Sequence, residues 1–184
     1  QLLNPRIKST EFRPTLSALS FDIETDMTAE QLYSIGVYSV QESIVFMLGG
    51  AAWREKLAGS ADGIQSSAVN SRSAPRKSNK EKSALRIEVL SSERAVITAF
   101  LDHVARVDPD VLIGWNVVNF DLRCLQRVCD RLKMKLSLGR ATAGQPQTVA
   151  WREARERGGA QKNGRFYATI PGRCALDGIE LMRS

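Results

Sequence analysis

The chain has 184 residues, enough for one domain with a real core, and its 43% hydrophobic and 25% charged residues are those of a globular protein. No apolar stretch reaches membrane-spanning length and no signal peptide is visible. Three cysteines without a C-x-x-C spacing and a single histidine argue against a Cys/His zinc site and suit a reducing cytoplasm. The formal net charge of +6 favours a polyanionic partner such as nucleic acid, without demanding one.

Residues 1–15, with Pro5 and Pro14, read as a lead-in arm. Strand-like runs follow at 16–24, 31–40 and 43–48, and their short spacers predict an antiparallel meander. The stretch 50–83 changes character. From 60 to 83 it holds seven Ser, five Lys or Arg and two acids, with too little apolar surface to offset ordering entropy, and it is expected to be a flexible insertion. A strand at 85–90 leads to a helix capped by Ser91 or Ser92, with Val96, Ile97, Phe100, Leu101 and Val104 at helical spacing. Asp108-Pro109-Asp110 stops that helix near Val107.

Residues 111–114 form a short apolar run of the buried parallel type. A second helix is predicted over 119–134, with Leu122, Leu125, Cys129 and Leu132 on one face and Arg123, Arg127 and Arg131 opposite, a solvated face or a phosphate track. Residues 139–147 read as a loop, 148–156 and 164–170 as a hairpin, and 173–176 as a last strand before a helix capped by Asp177. Strands alternating with helices after a meander predict an α/β fold with a mixed sheet.

Asp22 and Glu24 lie two apart in Leu19-Ser20-Phe21-Asp22-Ile23-Glu24-Thr25. Alternation on a strand puts both carboxylates on one face and Ile23 on the other. Two such acids repel, and a divalent cation with a taste for oxygen, Mg²⁺ or Mn²⁺, relieves the repulsion. The plainer alternative is a solvated or Arg-paired strand end. A third acid, Asp121, stands where a strand gives way to a helix, and the helix N-terminus favours its ionised form. Phe120 beside it suits either stacking on a base or a place in the core. Asn116 and Asn119 suit sugar or phosphate contacts, or turn roles. Arg123 suits a phosphate.

Phe-Asp-Ile-Glu-Thr followed by Asn-Phe-Asp-Leu-x-x-Leu resembles the first two exonuclease motifs of family B DNA polymerases. Leu138-Gly139-Arg140, Trp151-Arg152-Glu153, Lys162-Asn163-Gly164 and Gly172-Arg173 through Leu176-Asp177-Gly178-Ile179-Glu180 follow in the order of the bacterial, DNA polymerase II-like branch. The resemblance implies a ribonuclease H-like 3′–5′ exonuclease fold over 16–184, a mixed sheet flanked by helices. It implies two divalent cations, with Asp22 on both, Glu24 on the one that holds the attacking water and Asp121 on the second. The implied reaction is hydrolysis of single-stranded DNA from a 3′ end, proofreading in the parent polymerase, whose remainder is the other expected partner.

The family's third motif, Tyr-x-x-x-Asp, is absent: Tyr38 is followed at that distance by Glu42 and Tyr167 by Pro171. His103 and Asp108 have the spacing of the family's histidine variant but precede Asp121, in the wrong order. The expectation is therefore a piece of a longer polymerase, truncated after Asp177 and weakly active or inactive. The alternatives are a stand-alone nuclease of the same class, which the missing motif opposes, and a nucleic-acid-binding module with a degenerate nuclease fold.

Overall fold

The structure is a computed structural model that describes residues 8–58, 65–66, 85–142, 145–153 and 166–183. Residues 8–15 of the lead-in arm are exposed and carry no regular structure, and the same holds for 16 and 17, where the sequence predicts the first strand to begin. β1 (Ala18–Thr25) buries Leu19, Phe21 and Ile23 and leaves Asp22 and Glu24 exposed, the alternation expected of a strand with one face on the core. It pairs antiparallel with β2 (Leu32–Tyr38), and β2 pairs antiparallel with β3 (Ser43–Leu48), completing the meander. The β1–β2 turn is closed by Asp26, whose carboxylate accepts from the amides of Glu30 (2.8 Å) and Gln31 (3.0 Å).

Two pieces of the expected insertion are ordered elements. α1 (Ala51–Ala58) forms because its sequence is rich in good helix formers, and β4 (Gln65–Ser66) adds a short parallel edge to β5 (Leu85–Leu90). Both lie within the segment 50–83 that the sequence reads as a flexible insertion. The rest of that segment lies outside the described residues, as does the turn of the second hairpin.

α2 (Glu93–Val107) starts at Ser92, whose Oγ accepts from the Ala95 amide at 3.2 Å, and ends at Asp108 in the left-handed region. Its buried face, Val96, Ile97, Phe100, His103 and Val104, packs on the sheet, with the Phe100 and Phe21 rings 5.2 Å apart. β6 (Val111–Gly114) runs parallel to β1 on the side away from β2. α3 (Asp121–Arg131) then returns across the core, burying Leu122, Cys124, Leu125, Val128 and Cys129. It is shorter than the sequence predicts: Leu132 caps it, and Lys133 turns into the left-handed region.

The expected loop at 139–147 is instead a hairpin of β7 (Gly139–Thr142) and β8 (Gln145–Gln147). Nothing in Gly-Arg-Ala-Thr-Ala-Gly-Gln-Pro-Gln alternates in hydrophobicity, so the pairing is set from outside. Arg140 is held by Asp108 (2.9 Å), Asp110 (2.8 Å) and the Gly172 carbonyl (2.7 Å). β9 (Ala150–Glu153) and β10 (Phe166–Thr169) form the second hairpin as expected, and β11 (Cys174–Asp177) leads into α4 (Gly178–Arg183). The main sheet has the order β11-β6-β1-β2-β3-β5-β4. Its core side forms one cluster of Leu19, Phe21 and Ile23 with α2 and α3.

Candidate active site

Asp22 and Glu24 project together from β1, opposite Gly36 and Ser34 of β2. A glycine and a serine across the strand leave both acids uncrowded and without a cross-strand cation. On the other side, β6 pairs with β1 only as far as Ser20. Gly114 passes so close to β1 that a β-carbon there would lie 2.7 Å from the Phe21 carbonyl, and the chain then turns away. The Ile23 amide is thus left without a strand partner. The Asp121 carboxylate takes it, Oδ1 accepting at 3.2 Å.

Asp121 is the first residue of α3 and only 1% exposed. Burial, and then the neighbouring Asp22 carboxylate, push its acid up to about 7 against the ordinary 3.8, although hydrogen bonds from backbone amides work the other way. Two acids from distant parts of the chain therefore meet, one buried and one open to solvent. This donor set fits a divalent cation: hard oxygen ligands whose mutual repulsion a cation removes, at the open carboxyl end of a parallel strand pair. Glu24 lies on the same strand face as Asp22. Among the described residues, no three His, Cys, Asp or Glu side chains yet converge as a finished ligand set.

The polar residues around these acids do structural work. Asn116 has φ of 59°, and its amide donates to Asp177 Oδ1 at 3.2 Å. Asn119 Oδ1 accepts from the Phe166 amide at 2.9 Å. The Arg123 guanidinium lies over the Phe166 ring at 3.7 Å and near Trp151 at 5.5 Å. Asn119 and Arg123 thereby fasten the β9–β10 hairpin to α3. Phe120 remains 41% exposed, and Trp115, which drew no attention as sequence, is 65% exposed on the same loop. Arg131 is tied to Glu93 at 2.8 Å and to the Glu30 carbonyl at 3.0 Å, so it is not a merely solvated face.

Asp177 was expected to cap the last helix. It does so through the Ile179 amide (3.0 Å), and it also binds the amides of Asn116 and Val118, both at 3.2 Å. His103 is buried with its ring edge-on to Phe46 at 5.7 Å, its Nδ1 2.9 Å from Arg106, and takes no part in the acidic cluster.

The model of the exonuclease domain of family B DNA polymerases matches residues 1–184. The chain belongs to that family. The mixed sheet and flanking helices are accordingly the ribonuclease H-like exonuclease fold. Escherichia coli DNA polymerase II is 33% identical over 184 residues, all of this chain and 19% of that protein. A DNA polymerase of Pyrococcus glycovorans is 46% identical over 54 residues, covering 29% of this chain and 7% of that one. The family B DNA polymerase of the hyperthermophilic archaeon Pyrobaculum calidifontis superposes with a TM-score of 0.55 at 19% identity, over 96% of this chain and 17% of that one. At that identity the superposition speaks for the fold alone. The chain thus spans about a fifth of the length of such polymerases.

Proposed function

We propose that this chain is the 3′–5′ exonuclease domain of a DNA polymerase II-like enzyme, acting on single-stranded 3′ ends of DNA. The observation that carries the reading is the meeting of Asp22 with the buried Asp121, whose acid is pushed up to about 7 by burial and then by that proximity. Asp22, Glu24 and Asp121 would hold two divalent cations, Mg²⁺ or Mn²⁺. Such a pair stabilises the attacking and leaving oxygens of an in-line phosphoryl displacement. The protein's own part is to fix Asp121 against β1, to keep Asp22 and Glu24 on an open face, and to offer Phe120 for stacking on an unpaired base. Asn116, Asn119 and Arg123, on the same loop and first helical turn, would contact the DNA in this reading, although Asn119 and Arg123 are also engaged by the β9–β10 hairpin. The remainder of the polymerase chain is the other partner. Three free cysteines suit a reducing cytoplasm, and no helix among the described residues is long and apolar enough to cross a membrane.

With three of the expected carboxylates and no Tyr-x-x-x-Asp in these 184 residues, hydrolysis by the chain alone is expected to be slow. A second reading is a nucleic-acid-binding module with a degenerate nuclease fold. Calorimetry with Mn²⁺ separates the two. The nuclease reading expects binding by the wild-type chain that Asp22→Ala or Glu24→Ala abolishes; binding untouched by both substitutions would refute the site. Robust cleavage of a single-stranded oligonucleotide, lost in Asp22→Ala, would show that no further carboxylate is required.

A further inference from the structure

We propose that Asp177 is a positioning residue for the acidic site: its carboxylate grips the loop between β6 and α3 and thereby sets Asp121 against β1. The geometry stands by itself; the consequence for cations rests on the nuclease reading above.

Asp177 closes β11 in register with Gly114 of β6 and is 7% exposed. Three amides converge on it. Oδ1 accepts from Ile179 and Asn116, and Oδ2 from Val118. The Ile179 bond is an ordinary helix cap, but the other two reach 61 and 59 residues back along the chain. One of them falls on Asn116, whose φ of 59° lies in the left-handed region that Asn tolerates better than most non-glycine residues.

The start of α3 has no side-chain cap, its N-cap residue being Phe120. The helix is tied to the loop instead, through Phe120 N to the Asn116 carbonyl and Leu122 N to the Val117 carbonyl, both 2.9 Å, with Val117 fully buried. Beyond them Asp121 reaches Ile23, next to Asp22. Trp115 closes the loop from the α4 side, its indole so near Gly178 that a β-carbon there would lie 2.9 Å from Cε3. Asp177, the loop, the helix start, Asp121 and β1 thus form one connected path.

The test is residue-resolved amide exchange on the 184-residue chain carrying Asp177→Asn or Asp177→Ser, with Mn²⁺ affinity by calorimetry. Asparagine offers one acceptor oxygen in place of two. Serine can still cap Ile179 but is too short for the loop. Both variants are expected to speed exchange at Asn116, Val118 and the remote Ile23 by about ten-fold or more, the effect of losing a charge-assisted bond. Ile35 and Phe46, in the middle of the sheet, stay protected, and Mn²⁺ binds about ten-fold more weakly. Unchanged protection at Ile23 would reduce Asp177 to a local cap, as would wild-type behaviour of the serine variant. Loss of protection throughout the sheet in both variants would make its role general stability; either result overturns the proposal. Should the wild-type chain bind no Mn²⁺, the nuclease reading fails and exchange at Ile23 still decides the positioning role.

Discussion

Two buried titratable side chains pull the acid stability of this domain in opposite directions. Asp121, with its acid raised to about 7, binds a proton in the folded state that the unfolded chain gives up near 3.8. Stability from this group is complete below about 4 and is lost as pH rises through 7. His103 behaves oppositely. Burial, ahead of the opposing Glu42 and the reinforcing Arg106 and Arg86, holds its imidazole below the ordinary 6.5, so the unfolded chain takes up the proton first and stability falls as pH drops below that value. Asp121→Asn keeps an oxygen for the Ile23 amide and removes the charge. Without cations it is expected to stabilise the domain at pH 8 by about 1–3 kcal/mol and to leave it unchanged at pH 4, as read from urea unfolding. His103→Leu should flatten the acid limb between pH 6.5 and 5. Should Asp121→Asn prove neutral at pH 8, the carboxylate is not strained by Asp22 and burial.

Among the elements, the β9–β10 hairpin depends most on single contacts. It joins a small sheet of its own, and α3 holds it through Arg123 on Phe166 and Trp151, Asn119 on the Phe166 amide, and Gln126 Oε1 accepting from the Trp151 indole at 3.1 Å. Arg123→Ala removes a cation–π contact worth about 1–2 kcal/mol in a half-buried setting. Trp151 emission, in a background where Trp53 and Trp115 are Phe, is expected to shift to the red while far-UV dichroism holds. An unshifted spectrum would mean that Asn119 and Gln126 suffice to hold the hairpin. The α2 cap is a simpler case: Ser92→Ala should lower stability by about 1 kcal/mol in denaturant unfolding, with the site unaffected.

For the molecule as a whole, the proposed cation site would couple cation binding to folding. The unfolded chain has no reason to gather Asp22 and Asp121, which lie 99 positions apart in number and meet only when α3 docks on β1. A cation that binds the folded site alone stabilises by mass action, about 2.7 kcal/mol at a hundred-fold excess over its dissociation constant. Mn²⁺ is therefore expected to raise the melting temperature of the wild-type chain and not that of Asp22→Ala. An equal rise in both would place the cation elsewhere.

The strand alternation of Leu19, Phe21 and Ile23 against Asp22 and Glu24, the Ser92 cap and the Asp108-Pro109 stop were all legible in the sequence, because each depends on neighbours within a few positions. So was the family, since the two acidic motifs stand in the family's order. The β7–β8 hairpin was not legible, because Arg140 is held by Asp108, Asp110 and Gly172, residues distant in the chain. Nor was the second duty of Asp177, whose loop partners lie about sixty residues upstream. The sequence by itself determined that two acids share a face of β1 and that a third opens a helix. Only the tertiary structure decided that the third is buried beside the first, because a strand pairing that ends at Ser20 leaves the Ile23 amide for Asp121 to take.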